Sequence, residues 1–174
     1  MKLHTTKSLI ATAILGALFL HSSDTFAVQP KLKQSDITIP SATDANQLAT
    51  KRATTRLTQS HYRKFQLDDA FSEKIFDRYI KSLDYSHSTF LKSDIDDLRA
   101  KYGSKLDDQL NEGDLSAAFA IYDLMMKRRY ERYAYALSLL DKEPDLKGND
   151  QIEIDREKAA FPATEEEANK LWEE

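Results

Sequence analysis

The stretch that decides the fold is Asp68 to Leu83, with the sequence DDAFSEKIFDRYIKSL. Its apolar residues recur every three or four positions, which is the spacing of one face of an α-helix. They are Phe71, Ile75, Phe76, Tyr79, Ile80 and Leu83. The pattern predicts an amphipathic helix that buries this stripe, with Asp68 or Asp69 as its N-cap. Asp77 and Lys81, four residues apart on the opposite side, are expected to pair.

Three further helices surround this one in the sequence. A modest amphipathic helix begins at Gln47 and is expected to carry Leu48, Leu57, Tyr62 and Phe65. Ser93 offers the next N-cap, and the buried stripe of that helix would be Ile95, Leu98, Tyr102, Leu106 and Leu110. Gly113 ends this helix and Asp114 caps another, which runs to about Leu140. The expected core positions of the last helix are Leu115, Phe119, Tyr122, Met126, Tyr133, Leu137 and Leu140.

The C-terminal part of the sequence, from residue 144 onward, has a different pattern from the four helices before it. After a turn at 144–149, residues Gln151 to Arg156 alternate polar and apolar and predict a short strand or an extended segment. Thr164 and Glu167 form a capping box for a final helix. No stop signal follows, and Glu173 and Glu174 add negative charge at the negative end of the helix dipole.

We therefore expect that final helix to be truncated, with Leu171 and Trp172 poorly anchored; a frayed acidic tail is the alternative. The fold class predicted is all-α: a small antiparallel helical bundle with an extended C-terminal segment and a final truncated helix.

The N-terminus has the pattern of a secretory signal peptide. Basic residues precede an apolar run of 13 residues, Ser8 to Leu20, which is shorter than the roughly 20 residues that span a bilayer. Thr25-Phe26-Ala27 offers a cleavage site after Ala27. We predict a signal peptide at 1–27, a flexible leader at 28–46 and a helical domain at 47–174, a retained N-terminal anchor being the alternative.

Composition agrees with export. The chain has no cysteine and a formal net charge of −4, so it has no disulfide framework and depends on its core, which suits a bacterial periplasmic protein. No second apolar run reaches membrane-spanning length, so no stable span is expected after signal cleavage. An exported, acidic protein is a poor candidate for binding nucleic acid.

The sequence contains no GxSxG nucleophile elbow, no HExxH metalloprotease motif, no P-loop and no Gly-rich dinucleotide-binding turn. His87 lies between Ser86 and Ser88, three residues after Asp84, which resembles a triad in composition. Neighbouring loop residues rarely point at one reacting atom, so a loop-capping or surface role is predicted for His87.

Two charged clusters allow more than one interpretation. Asp94, Asp96 and Asp97 lack the spacing of a calcium loop and are explained by the positive end of a helix dipole. The segment 127–133, KRRYERY, has the composition of a nucleic-acid face, but we predict that its Lys and Arg stems flank a packed aromatic seam. An anionic partner or a neighbouring domain on that face stays open. No catalytic, cofactor-binding or metal residue is assigned, and no cofactor is expected.

Several ordered blocks resemble a known family. They are LDDAFSEKIFDRY at 67–79, LDYSH at 83–87, FLKSD at 90–94, KRRYERYAYAL at 127–137, GND at 148–150, Asp155-Arg156 and Leu171-Trp172. Over Ala45 to Glu174 the chain resembles the N-terminal region of the tail-specific proteases, also called carboxy-terminal processing peptidases.

This resemblance implies a periplasmic serine endopeptidase that acts on proteins with apolar C-termini. In the family a PDZ domain captures the substrate tail, a serine paired with a lysine performs acyl transfer, and helical regions build a scaffold around them. The chain would correspond to the first helical region, truncated before the PDZ and catalytic parts, and would be inactive alone. Its partners would be the rest of the protease, protein substrates and an adaptor. The alternative is a stand-alone periplasmic helical protein-binding module.

Overall fold

The structure, a computed structural model, describes residues 33, 35, 37, 38, 40–141 and 151–173. Within these residues the helices are α1 (Asp44–Ser60), α2 (Asp69–Leu83), α3 (Lys92–Tyr102), α4 (Leu106–Glu112), α5 (Ser116–Leu139) and α6 (Glu165–Glu173). The described part contains no strand, which confirms the all-α class. The predicted signal peptide at 1–27 and the turn at 144–149 lie outside it.

Helix α2 is central, as its stripe predicts. Asp68 is the N-cap, and its Oδ1 accepts the Phe71 N–H at 2.9 Å. Phe76 has no exposed surface and Ile80 is buried. Around them lies the rest of the core, Phe90, Ile95, Leu98, Leu106, Ala117, Ile121 and Met125.

The single helix predicted after Ser93 is wrong in two respects. It begins at Lys92, with Leu91 as N-cap, and it breaks after Tyr102. At the break the buried Ser72 hydroxyl donates to the Gly103 carbonyl at 2.7 Å and accepts the Leu106 N–H at 2.8 Å. One side chain of α2 thus satisfies a carbonyl and an N–H that the interrupted helix frees. Nothing in the 93–110 pattern encodes this contact.

The first helix also differs at both ends from the prediction. It begins at Asp44 because Thr43 and Asn46 form a capping box. It ends at Ser60, since His61 takes an extended backbone conformation, and Tyr62 and Phe65 therefore lie beyond it. The N-terminal end of α1 lies beside the end of α4. A Cβ placed on Gly113 would be only 2.6 Å from the Gln47 carbonyl oxygen of α1. Gly113 also has φ of 76°, in the left-handed region that glycine favours.

The core stripe predicted for α5 is correct at Tyr122 and Met126, which pack against the core, but it misses the most buried positions. The buried positions are Ala117, Ile121, Met125 and Arg132, whereas Tyr133 is 48% exposed. Apolar residues occupy most positions from 115 to 126, so two neighbouring stripes compete and periodicity alone does not choose between them. The arginine at 132 follows the buried stripe despite its charge.

The charged residues of α2 pair with other elements rather than with each other. Asp77 bonds Arg99 of α3 at 2.5 Å, and Lys81 pairs with Glu157 of the C-terminal segment. The predicted Asp77–Lys81 pair is therefore wrong. Ser72 faces Gly103 while Asp77 faces Arg99, so α2 and α3 run antiparallel as predicted.

Residues 151–164 form neither helix nor strand, and a turn lies at 157–158, where the Ala159 N–H donates to the Arg156 carbonyl at 3.0 Å. Among the described residues the alternation at Gln151–Arg156 has no strand to pair with, and Ile152 and Ile154 are exposed. The segment joins the domain further on, where the Lys92 N–H donates to the Pro162 carbonyl at 2.8 Å. A search of the described residues finds no helix with the length and hydropathy of a membrane span.

Replacing Phe76 tests the core. We expect Phe76→Ala to lower the free energy of unfolding by about 3–5 kcal/mol, because it leaves a cavity among fully buried neighbours. Leu57→Ala on α1, where the leucine is 52% exposed, is the control and should change the free energy by about 0.5 kcal/mol or less. Urea denaturation followed by circular dichroism measures both, and a cost below about 1 kcal/mol for Phe76→Ala would mark the stripe as a surface.

Candidate functional site

The most elaborate polar arrangement among the described residues is the surface that holds the C-terminal segment. It consists of the loop 84–91 and the face of α5 from Arg128 to Tyr135, and we call it the C-terminal docking surface. Residues 156–173 contact it through backbone and side-chain hydrogen bonds.

The loop 84–91 is built around Asp84. This buried carboxylate accepts three backbone N–H groups: Ser88 at 3.0 Å, and Thr89 and Phe90 at 2.9 Å. A carboxylate with three such donors is well stabilised without solvent. Asp84 therefore shapes the loop and presents its outer side to the C-terminal segment.

His87 forms part of this contact and not of a triad. Its backbone has φ of 51°, and its ring Nδ1 lies 2.5 Å from the Ala159 carbonyl oxygen, to which it donates. The ring stacks on Phe161 with centroids 4.0 Å apart. The Ser86 and Ser88 hydroxyls bond each other at 2.8 Å, so the triad-like composition yields no hydroxyl–imidazole pair. His87 therefore joins the loop to the C-terminal segment, a structural contact that the predicted loop-capping or surface role did not include.

The least exposed ion pair among the described residues joins Asp94 of α3 to Arg128 of α5. Arg128 Nε and Nη2 each lie 2.8 Å from a different oxygen of Asp94, and the side chains are only 15% and 9% exposed. Arg128 Nη1 also reaches Glu131 at 2.9 Å. Asp94 Oδ2 accepts the Leu91 N–H at 2.9 Å as well. The hydrogen bonds from Arg128 to Asp94 and Glu131 raise the pKa of Arg128 above its ordinary value.

The other two acids of the predicted cluster point away from Asp94. Asp96 pairs with Lys92 at 2.6 Å, and both Asp96 and Asp97 are exposed. The structure thus divides the three carboxylates, and the part of the chain that it describes holds no group of residues able to bind a metal ion.

The basic segment 127–133 is divided in the same way. Arg128 and Arg132 point inward, whereas Lys127 and Arg129 are exposed. The predicted seam of core aromatics with flanking cations is therefore wrong at Arg132 and Tyr133: the arginine is buried and the tyrosine is on the surface. The segment therefore presents no continuous cationic face, because the helix directs Arg128 and Arg132 inward and leaves Lys127 and Arg129 exposed.

Helix α6 is anchored along α5, so the expectation that its apolar residues are loosely held is wrong. Arg132 Nη1 donates to Asn169 Oδ1 at 2.6 Å, and Tyr135 bonds Glu173. The Trp172 indole N–H donates to the Ser88 carbonyl at 2.8 Å, and its ring meets Tyr133 edge-on. These partners come from two distant segments, which the cap rules do not consider.

A separate open concavity of about 700 Å³ lies at the α1–α2 connection. Phe65 and Phe71 stack at its base with centroids 4.9 Å apart, and Arg63, Lys64 and Lys74 line it. The stretch was predicted as helix, so sequence reasoning missed this feature.

None of these features of the described residues has the geometry of a catalytic centre, and comparison with known proteins identifies the family of the chain. Residues 53–174 match the family described as "Tail specific protease N-terminal domain". The chain belongs to that family. It is 70% identical over 172 residues to the "Tail-specific protease" of Haemophilus influenzae, covering 99% of the chain and 25% of that relative. The chain thus spans about a quarter of the length of the curated relative it matches, and the resemblance drawn from the sequence is confirmed.

In this tail-specific protease domain, Glu157 fastens the C-terminal segment to α2. It pairs with Lys81 and accepts the Tyr85 hydroxyl at 2.7 Å. The hydrogen bond from Lys81, followed by that from Tyr85, lowers the pKa of Glu157, and the same Glu157 bond raises the pKa of Tyr85.

Breaking the Asp94–Arg128 pair should be costly. We expect Asp94→Ala to lower the free energy of unfolding by about 3–5 kcal/mol, because the largely buried Arg128 loses its bidentate partner and the Leu91 N–H loses its acceptor. Asp77→Ala, which removes an exposed partner of Arg99, is the control and should cost about 1 kcal/mol or less. Chemical denaturation measures the free energy of unfolding of both variants. Equal losses in the two would contradict the larger contribution assigned to the buried pair.

The Glu157 contact predicts a pH dependence. A lowered pKa in the folded state means that the contact contributes fully above the ordinary value of 4.5 and is lost as pH falls through the folded pKa. Carboxyl-carbon NMR should show Glu157 titrating below that value, and Lys81→Met should move its pKa upward. Lys92→Met, which removes an ion pair of another carboxylate, should leave the Glu157 titration unchanged. An identical Glu157 titration with and without Lys81 would contradict the assigned cause.

Proposed function

We propose that this chain is the N-terminal helical scaffold of a periplasmic serine endopeptidase that degrades or processes proteins from their apolar C-termini. In this proposal the PDZ domain and the Ser-Lys pair belong to the remainder of the protease. The scaffold alone is inactive, and its partners are that remainder, protein substrates and an adaptor.

The observation that carries the proposal is the 70% identity to a tail-specific protease across 172 residues. Two features support it. The candidate groups of the described residues are engaged in structural bonds: Asp84 with backbone N–H groups, His87 with Ala159, and Asp94 with Arg128. The apolar run Ser8–Leu20 and the site after Ala27 support export.

Three proteins test the proposal: the full-length protease, a chain of residues 28–174, and the protease lacking residues 47–174. A folded reporter ending in an apolar tail is the substrate, and the same reporter with a charged tail is the control. We expect cleavage of the apolar-tailed reporter by the full-length protease and none by residues 28–174. Loss of the scaffold should reduce cleavage by about a hundredfold or more, because the catalytic parts lose their positioning.

Fractionation of cells that produce the full-length protease tests where the protein is located. Protein recovered from the periplasmic fraction should begin at Val28, and Ala27→Asp should accumulate uncleaved precursor while Ala27→Ser is processed. Cleavage of the reporter by residues 28–174 would overturn the inactive-scaffold proposal. Full activity without residues 47–174 would instead favour a separate binding module.

A further inference from the structure

The two last helices run in the same direction with a regular register. Arg128 on α5 faces Glu165 at 3.5 Å, Arg132 faces Asn169 at 2.6 Å, and Tyr135 bonds Glu173. Each step of about four residues along α6 therefore matches a step of three or four along α5. These contacts fix both the direction and the phase of α6 on its neighbour.

Helix α5 extends past the last of these contacts. Ala136 and Leu139 come four residues after Arg132 and Tyr135, so they continue the face that α6 covers, and Leu140 follows Ala136 by four. Ala136 and Leu139 are half-buried, and Leu140 is 66% exposed. We call these three residues the distal face of α5.

The distal face differs in chemistry from the covered part. Contacts between α5 and α6 combine the polar bonds of Arg128, Arg132 and Tyr135 with the edge-on rings of Tyr133 and Trp172. The distal face carries only an alanine methyl and two leucine side chains. An occupant must therefore be apolar. The distance from Tyr135 to Leu139 is about 6 Å along the helix axis, about one turn.

We propose that the distal face docks a helical continuation of α6, formed by the polypeptide that follows residue 174 in the full-length protease. This inference rests on the proposed function, in which the chain is joined to the rest of the protease. The register of α6 points its axis along the distal face, so a continuation of one to two turns would reach Leu139 and Leu140 without a change of direction. The curated relative supplies ample chain, since residues matched here make up 25% of it.

Site-specific photocrosslinking in the full-length protease tests the proposal. Benzoylphenylalanine replaces Leu140, and in a matched control it replaces Leu57, which is 52% exposed on α1. Crosslinked peptides are identified by mass spectrometry. We expect the probe at 140 to label residues within about eight positions after 174, two helical turns, and the probe at 57 to give no crosslink to that region.

A second measurement keeps the result independent of crosslinking chemistry. The measurement uses full-length protease from which other cysteines have been removed. Leu140→Cys should react with a water-soluble maleimide about tenfold more slowly than Leu57→Cys, because the docked helix must open before the reagent reaches the thiol. Equal reaction rates would overturn the proposal. So would crosslinks from 140 to a second copy of the protease or to residues before Thr43.

The proposed protease function and the proposed docking on the distal face can be refuted independently of each other. A full-length protease that cleaves the apolar-tailed reporter while Leu140→Cys stays as reactive as Leu57→Cys would refute the docking of the distal face alone. Absence of cleavage, with Leu140→Cys protected, would leave the docking and refute the proposed activity.

Discussion

The rest of the structure depends on the paired burial of Asp94 and Arg128. Taking two charges out of water costs least when each has a full set of partners. Arg128 donates to both Asp94 oxygens, and Asp94 also accepts the Leu91 N–H. The pair fixes the start of α3 against the middle of α5, and Glu165 brings the first turn of α6 to the same guanidinium. Since any shift of α5 would strand one charge, the pair selects the register of three helices.

The C-terminal segment is also held by hydrogen bonds between polar groups of distant residues. Asp84 orders the loop 84–91 from inside, and the outer side of that loop bonds the segment through His87 and the Ser88 carbonyl. Asp84 and His87, which resembled a catalytic acid and base in the sequence, are both engaged in these structural contacts. A domain whose polar side chains bond its own segments together is suited to positioning catalytic parts in the remainder of the protease, which is the role we propose for it.

Particular elements show how far the sequence could be interpreted. The Asp68 cap, the α2 stripe and the end of α4 at Gly113 followed from local patterns, and all are present. The break at Gly103 did not, because it is stabilised by Ser72, about thirty residues earlier in the chain. The phase of α5 did not either, because two apolar stripes overlap on that helix. The anchoring of Trp172 depended on a carbonyl at Ser88, which no cap rule considers.

By itself the sequence determined that the domain is helical, where most helices lie and which family it belongs to. Helix periodicity, caps and short strings that resemble a family are local properties, and each can be recognised within one segment. Only the tertiary structure decided which charges are buried, since Arg128 and Arg129 are adjacent and chemically identical, yet one meets Asp94 and the other meets solvent. The cost of burying a charge is settled by partners distant in sequence, and those partners exist only when the helices have packed.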